Sequence, residues 1–286
     1  MPHKPQPAAA HRLVLLHGLA STPKEFGMMV HPLRRLGVKL VTPEVPLYSY
    51  GSLAEAPRWQ DWVASATECV EAAVGSSPEP YVLGGLCTGA MLALAVAATR
   101  PLPGLRGLAL LSPLFSYDGW ALPWWYRMRH LAYWMHLERH FSMRERAPYG
   151  LKNERMRQLV RSQLQTEQAT LVGPAQVSLQ VVRESERLSH HVVSGLSRQT
   201  LPMLALHARA DEICSLQSMQ QVLGRVPPQQ LRLSVLEDSY HMITADNDRQ
   251  RVAAELADFM TRVAGTDSVA STDTAGSGKM NLITRD

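Results

Sequence analysis

Leu13-Val14-Leu15-Leu16 is an unbroken apolar run that stops at His17-Gly18. A strand with no polar alternation must be buried on both faces, which is the situation inside a parallel sheet covered by helices. Similar runs recur at Val38 to Val41, at Tyr81-Val82-Leu83 before Gly84-Gly85, at Leu108 to Leu111, at Met203 to Leu206 and at Leu231 to Leu236. Helical patterns lie between them. Arg58 to Val74 places Trp59, Trp62, Val63 and Val70 near one face, and Ala90 to Thr99 is rich in Ala and Leu and stops at Pro101. Asn247 to Val263 carries Val252, Leu256, Phe259 and Met260 at helical spacing. The alternation predicts βαβ units and a mostly parallel sheet flanked by helices.

The rhythm breaks after Pro113. From Phe115 to about Arg198 the pattern is helical, aromatic at first and rich in Arg, with no strand, so a helical cap over 115–198 is expected between two core strands. From Gly265 the residues turn small and polar, which predicts a disordered tail over 265–286 and one domain over 11–264. The formal charge of +4 comes without a run of five like charges, so nucleic-acid binding is not indicated. The longest apolar stretch, Met91 to Ala98, is far too short to span a bilayer, and Met1 to Ala10 lacks the apolar core of a signal peptide. Cys69, Cys87 and Cys214 are odd in number and form no C-x-x-C pair, which predicts a reducing, cytoplasmic setting without a disulfide framework.

Gly85-Leu86-Cys87-Thr88-Gly89 stands between a buried strand and a small-residue helix. That is the context of a nucleophile elbow, G-x-S-x-G, with Cys in the Ser position. Glycines let the backbone turn sharply and let helix and strand pack closely, while the helix N-terminus and a neighbouring imidazole bias a thiol there toward thiolate. A glycine-rich turn with a buried Cys is the competing reading of the pentapeptide alone. Two further segments favour the nucleophile. His241 follows the strand Leu231 to Leu236 by a short loop, and Asp211 follows the strand at Met203. Both lie where parallel strands end, and the order nucleophile, acid, histidine is that of a hydrolase triad. Separately, His241 reads as a loop histidine and Asp211 as a helix N-cap. Glu212 and Asp238 are the other candidate acids. His17-Gly18-Leu19 closes the first strand, and His17 reads as a brace of that loop. His136 and His140 have metal-ligand spacing but no third partner in the sequence, and are read as structural; no metal or cofactor is expected.

Together these segments resemble the α/β-hydrolase superfamily, most of all its bacterial carboxylesterase and monoacylglycerol-lipase-like group. The histidine loop Ser239-Tyr240-His241-Met242-Ile243-Thr244 is similar to the S-G-H-V-I-T loop of those esterases. The resemblance implies an α/β-hydrolase fold, with its N-terminal strands truncated here because only a dozen residues precede the first strand. It implies a Cys87–His241–Asp211 triad and an oxyanion hole made by the N–H groups of Leu19 and Thr88. With Cys in place of Ser, the acyl-enzyme is a thioester, open to amines and thiols as well as water.

The expected activity is therefore hydrolysis of an ester or thioester, with acyl transfer to an amine, alcohol or thiol as the alternative and a non-catalytic binder as a second. Phe115, Trp120, Trp124, Trp125, Met128, Trp134 and Met135 are either cap core or the lining for an apolar acyl group; Trp120, Trp124, Trp125 and Met128 are taken as the substrate-binding set. Twelve Lys or Arg against seven Asp or Glu over residues 115–198 suit either a solvated face or an acyl substrate borne on coenzyme A or a carrier protein.

Overall fold

The structure, a computed structural model, describes residues 11–270 apart from 54, 57, 76–78, 167–168 and 171–172. The first half of the core comprises β1 (His11–Leu16), α1 (Gly27–Arg35), β2 (Val38–Val41), α2 (Trp59–Val74), β3 (Tyr81–Leu86), α3 (Thr88–Thr99) and β4 (Leu105–Leu111). The insertion holds α4 (Arg129–Trp134), β5 (Ser142–Arg144), α5 (Glu154–Thr166), β6 (Ala169–Thr170), β7 (Gly173–Pro174), β8 (Gln176–Ser178) and α6 (Leu179–Gly195). The core resumes with β9 (Met203–Ala208), α7 (Leu216–Leu223), β10 (Leu231–Leu236) and α8 (Arg249–Ala270).

Six strands form one sheet in the order β2-β1-β3-β4-β9-β10, and every pair is parallel. Alternate residues of each run serve opposite faces. Leu13 and Leu15 join Met29 and Leu33 of α1 and Leu256 and Phe259 of α8, whereas Val14 and Leu16 join Trp62 of α2 and Met91 of α3. Two buried faces are what the unbroken apolar runs demand. β3 continues through Gly84 and Gly85 to Leu86, beyond the stop the glycines suggest. A Cβ at Gly84 would stand 2.2 Å from the Ala109 carbonyl oxygen, so the glycine permits close approach to β4 rather than ending the strand.

From β1 the chain steps out to β2 and then returns to β3 on the other side. That reversal opens a crevice at the carboxyl ends of β1 and β3, where open α/β sheets bind their ligands. Inside the insertion, the expectation of no strand is corrected by two short antiparallel pairs, β5 with β8 and β6 with β7. Segments of two or three largely polar residues carry no period that a sequence could reveal. α6 packs on α2 and α3, and its Val181, Leu188 and Val192 belong to the same buried cluster. α8 runs to Ala270, past the Gly265 at which the tail was expected; residues 271–286 lie outside the described residues. Among the described residues no helix is long and apolar enough to cross a membrane.

Candidate active site

Cys87 occupies the turn between β3 and α3 with φ 58° and ψ −124°, a conformation that side chains adopt only when the surroundings enforce it. Here they do. A Cβ on Gly85 would lie 2.3 Å from the backbone of Gly89, and one on Gly89 would lie 2.2 Å from the Leu16 carbonyl oxygen. The elbow is thus wedged between its own helix and β1. The Cys87 N–H donates to Leu111 O at 2.9 Å, which ties the turn to β4 as well. The side chain is partly buried and faces a cavity of about 160 Å³ that His241 also lines.

Asp211 lies in the loop after β9. Its Oδ1 accepts the N–H groups of Ile213 and Cys214, each at 2.9 Å, and its Oδ2 accepts from His241 Nδ1 at 2.8 Å. Burial alone would raise the Asp211 pKa, but the His241 charge and these hydrogen bonds outweigh it and hold the carboxyl below its ordinary value. His241 is buried in turn. Burial pulls its pKa down, yet the Asp211 carboxylate, followed by Cys87, carries it well above the ordinary value. The His241 backbone N–H donates to Glu212 Oε2 at 3.0 Å, so two consecutive acids grip one histidine, by side chain and by backbone. His241 Nε2 is buried and has no hydrogen-bond partner among the described residues. A base whose free nitrogen shares a cavity with a thiol, and whose other nitrogen is held by a carboxylate, is equipped to take and return a proton.

The His17 loop supplies the opposite wall. His17 is fully buried, with Nδ1 at 2.9 Å from Gly18 O and Nε2 at 2.7 Å from Ser49 Oγ, and its ring stacks on Tyr48. Burial lowers its pKa to about 4, so it remains neutral and braces the loop. The Gly18 N–H is occupied, donating to Glu25 Oε1 at 2.6 Å. Among the described residues no acceptor bonds the N–H of Leu19 or of Thr88, the first residue of α3. First-turn amides of a helix have no intrahelical acceptor and carry partial positive charge.

Three carboxyls that sequence reasoning did not place in the cavity line it: Glu25, Glu145 and Glu212. Burial raises Glu25 to about 8 and Glu212 to about 7, so near neutrality Glu25 is mostly protonated and Glu212 carries only a partial charge, instead of a fixed negative wall. Glu212 had a signal, its adjacency to Asp211. Glu25 and Glu145 had none, because their places depend on how distant segments pack. Asp238, the other candidate acid, is exposed and pairs with Lys152 at 2.9 Å.

The cap aromatics stand elsewhere than the sequence reading expects. Trp120 donates its indole N–H to Ala210 O at 3.1 Å and meets Tyr240 edge-on, outside the cavity. Trp124 is 80% exposed, and Met128 lines a separate groove. The Trp125 side chain lies outside the described set. Helical phase explains the displacement: Tyr126 and Tyr133 turn inward, so the neighbours at 124, 128 and 131 turn to water. Tyr117, Met143 and Val182 line the cavity in their place.

Residues 7–248 match the sequence family described as serine aminopeptidase, S33. Among solved structures the chain is similar to the monoacylglycerol lipase of Paleococcus ferrophilus, at 15% identity and a TM-score of 0.66, covering 88% of this chain and 94% of that one. It is also similar to a soluble variant of monoglyceride lipase from Saccharomyces cerevisiae, solved with a substrate analog, at 14% identity and a TM-score of 0.72, covering 91% and 89%. The esterase EaEST from Exiguobacterium antarcticum follows at 14% identity and 0.62, covering 88% and 92%. At these identities the likeness is one of fold. No curated protein matches the sequence.

Proposed function

The chain belongs to the serine aminopeptidase S33 family of α/β-hydrolases, and from that premise we propose that it hydrolyses a carboxylic ester or thioester through a covalent acyl-Cys87 intermediate. The observation that carries the reading is the His241–Asp211 hydrogen bond of 2.8 Å, with the free Nε2 of His241 in the same cavity as Cys87.

Cys87 Sγ attacks the substrate carbonyl carbon, and its proton passes to His241 Nε2. Negative charge developing on the carbonyl oxygen is met by the N–H groups of Leu19 and Thr88, fixed donors that need no rearrangement. As the tetrahedral intermediate collapses, the bond to the leaving alcohol or thiol breaks and His241 returns the proton to it. Water then gives a proton to His241 and attacks the thioester, releasing the acid and restoring the thiol. Asp211 keeps His241 in the tautomer with its proton on Nδ1 and balances the imidazolium. The lipase and esterase neighbours support oxygen esters as substrates. The alternative, in which an amine, alcohol or thiol replaces water, uses the same acyl-enzyme and rests on the reactivity of a thioester.

The test is acylation followed by intact mass, with p-nitrophenyl butyrate, a butyryl thioester and an aminoacyl p-nitroanilide as the three donors. One butyryl group on Cys87 is expected, lost to water as butyrate, or to an added amine if transfer dominates. Cys87→Ala abolishes the adduct, and Cys87→Ser acylates far more slowly from the thioester because a hydroxyl yields its proton to His241 less readily than a thiol and is the weaker nucleophile. Turnover by Cys87→Ala at the parent's rate, or cleavage of the anilide alone, overturns the assignment. A protein that binds the esters but never acylates is the non-catalytic binder.

A further inference from the structure

The segment from Trp124 to Met135, a 3-10 turn running into α4, has its apolar residues on the wrong side for a soluble protein. Trp124, Met128, Leu131 and Met135 recur at helical spacing, and they face water. Trp134 is 77% exposed, and Phe141 also shows about half of its surface. The inward side is already filled, by the buried rings of Tyr126 and Tyr133 and by Arg129, which lies 4.1 Å over Tyr126 and pairs with Glu186 at 2.7 Å. No repacking of this turn could hide both sets. A contiguous exposed set of large apolar side chains marks an interaction surface.

The charges around it choose the partner. Between Gly119 and Ala147 the chain has five arginines and two glutamates, with no Asp or Lys. Neither glutamate opposes the arginines on the outer face: Glu138 is tied to Arg183, and Glu145 lines the catalytic cavity. Arg127 and Arg139, interleaved in sequence with the apolar stripe, are exposed, whereas Arg144 lines the cavity beside Glu145. A second copy of this chain would set those arginines against their own kind, which opposes self-association. An anionic lipid surface satisfies both features, taking indole and thioether side chains at head-group depth and arginines against its phosphates.

Continuity with the site points the same way. Behind the stripe lies an apolar groove of about 320 Å³, lined by Met128, Leu131, Met135, Phe141 and Met143, and Met143 also lines the cavity that holds Cys87. We infer that the outer face of the cap, Trp124 to Phe141, is a docking surface for an anionic bilayer. Lipid-borne acyl chains enter the groove there and pass Met143. The surface stands whether or not the bound acyl group is hydrolysed, so it does not depend on the proposed reaction.

The experiment is co-sedimentation of the full chain with vesicles of phosphatidylcholine, alone or containing about one-quarter phosphatidylglycerol. Parallel arms are light scattering without lipid and turnover of soluble p-nitrophenyl butyrate. Partitioning to the anionic vesicles is expected. The variant Trp124→Ser/Trp134→Ser should lose it by at least about tenfold, since each indole withdraws on the order of 100 Å² of apolar surface from water. Both side chains are so exposed that the fold does not need them. Arg127→Gln/Arg139→Gln should lose about fivefold per arginine, on anionic vesicles only, and high salt should mimic that loss. Failure of the parent to sediment, or tryptophan variants that sediment like the parent, overturns the inference. So does a lipid-free dimer that the tryptophan changes dissolve. Vesicle binding without ester turnover overturns the reaction and leaves the surface standing.

Discussion

Asp211→Asn separates the acid from its neighbours and lets the size of its contribution be worked out bond by bond. The amide oxygen can still accept from the N–H groups of Ile213 and Cys214, now at 2.9 Å each, so the loop keeps its shape. The amide nitrogen is then turned to His241 Nδ1, where a carboxylate oxygen stood at 2.8 Å. It donates where the carboxylate accepted. The imidazole must respond by carrying its proton on Nε2, the nitrogen that receives one from Cys87 in the proposed reaction, and the imidazolium of that reaction loses its counter-charge. Loss of the orienting carboxylate in such a triad costs about 10⁴-fold in turnover, or about 5.4 kcal/mol of barrier at 1.36 kcal/mol per tenfold. Glu212→Gln is the matched control. It keeps an acceptor for the His241 N–H, and since burial already lifts Glu212 to about 7, the change removes only a partial charge; less than about tenfold is expected. Asp238→Asn breaks an exposed ion pair and should change turnover by less than about fivefold. The assay is steady-state ester hydrolysis with a thermal melt on each protein, because about 1 kcal/mol of lost stability moves Tm by only 2–4 °C in a chain of this size. A well-folded Asp211→Asn protein retaining a tenth of parent turnover, or a crippled Glu212→Gln protein, would refute the assignment of the acid.

Iodoacetamide should reach Cys87 before the other two cysteines. Cys214 is fully buried and burial pushes its pKa to about 11, while Cys69 is held above its ordinary value by burial and then by Glu68; equal labelling of all three, read by peptide mass, contradicts this. Glu25 should make stability fall with rising pH. Its folded-state pKa of about 8 exceeds the ordinary 4.5, so between these values the folded protein holds a proton that the unfolded chain has lost. Glu25→Gln keeps an acceptor for Gly18, and its Tm should drop less than the parent's between about pH 5 and about pH 9; parallel curves would count against the shift. Trp120→Phe removes the hydrogen bond to Ala210 and keeps a ring against Tyr240, each partner being one residue before a proposed catalytic group. A fall of about fivefold in kcat with KM unchanged is expected from one lost hydrogen bond of about 1 kcal/mol, and an unaltered kcat would show that this clip holds nothing in place.

The core could be read from the chain because each of its strands announces itself by composition. A run such as Leu108 to Leu111 has no other low-energy home than a strand covered on both sides. The elbow, acid and histidine were legible for a related reason: each sits one short turn beyond such a strand, so locating the strand locates the residue. Gly84 and Gly85 misled because a glycine that ends a strand and a glycine that lets two strands close up look alike until the partner, Ala109, is known. The cap was harder still. Periodicity in Trp124, Met128 and Leu131 reveals a stripe but not which side of the helix the rest of the protein occupies, and Tyr126 and Tyr133 took the inside. Glu25 and Glu145 owe their places to long-range packing, which leaves no local trace.

The insertion between β4 and β9 also sets the order in which this molecule can come into being. Leu108 of β4 pairs with Met203 of β9, its partner about ninety residues later in the chain. At a synthesis rate of 5–20 residues per second, β4 waits on the order of 5–20 s for that strand to be made. In that interval β1 to β4 can already assemble from sequence-near contacts, bending the elbow around Cys87, while neither Asp211 nor His241 exists. One edge of the nascent sheet is then β4 itself, whose seven residues include a single charge, Arg106. Such an edge pairs readily with any strand that offers itself. A growing chain of this protein is therefore most exposed to mispairing just before its second half arrives, and the cap, whatever it does in the finished enzyme, determines how long that exposure lasts.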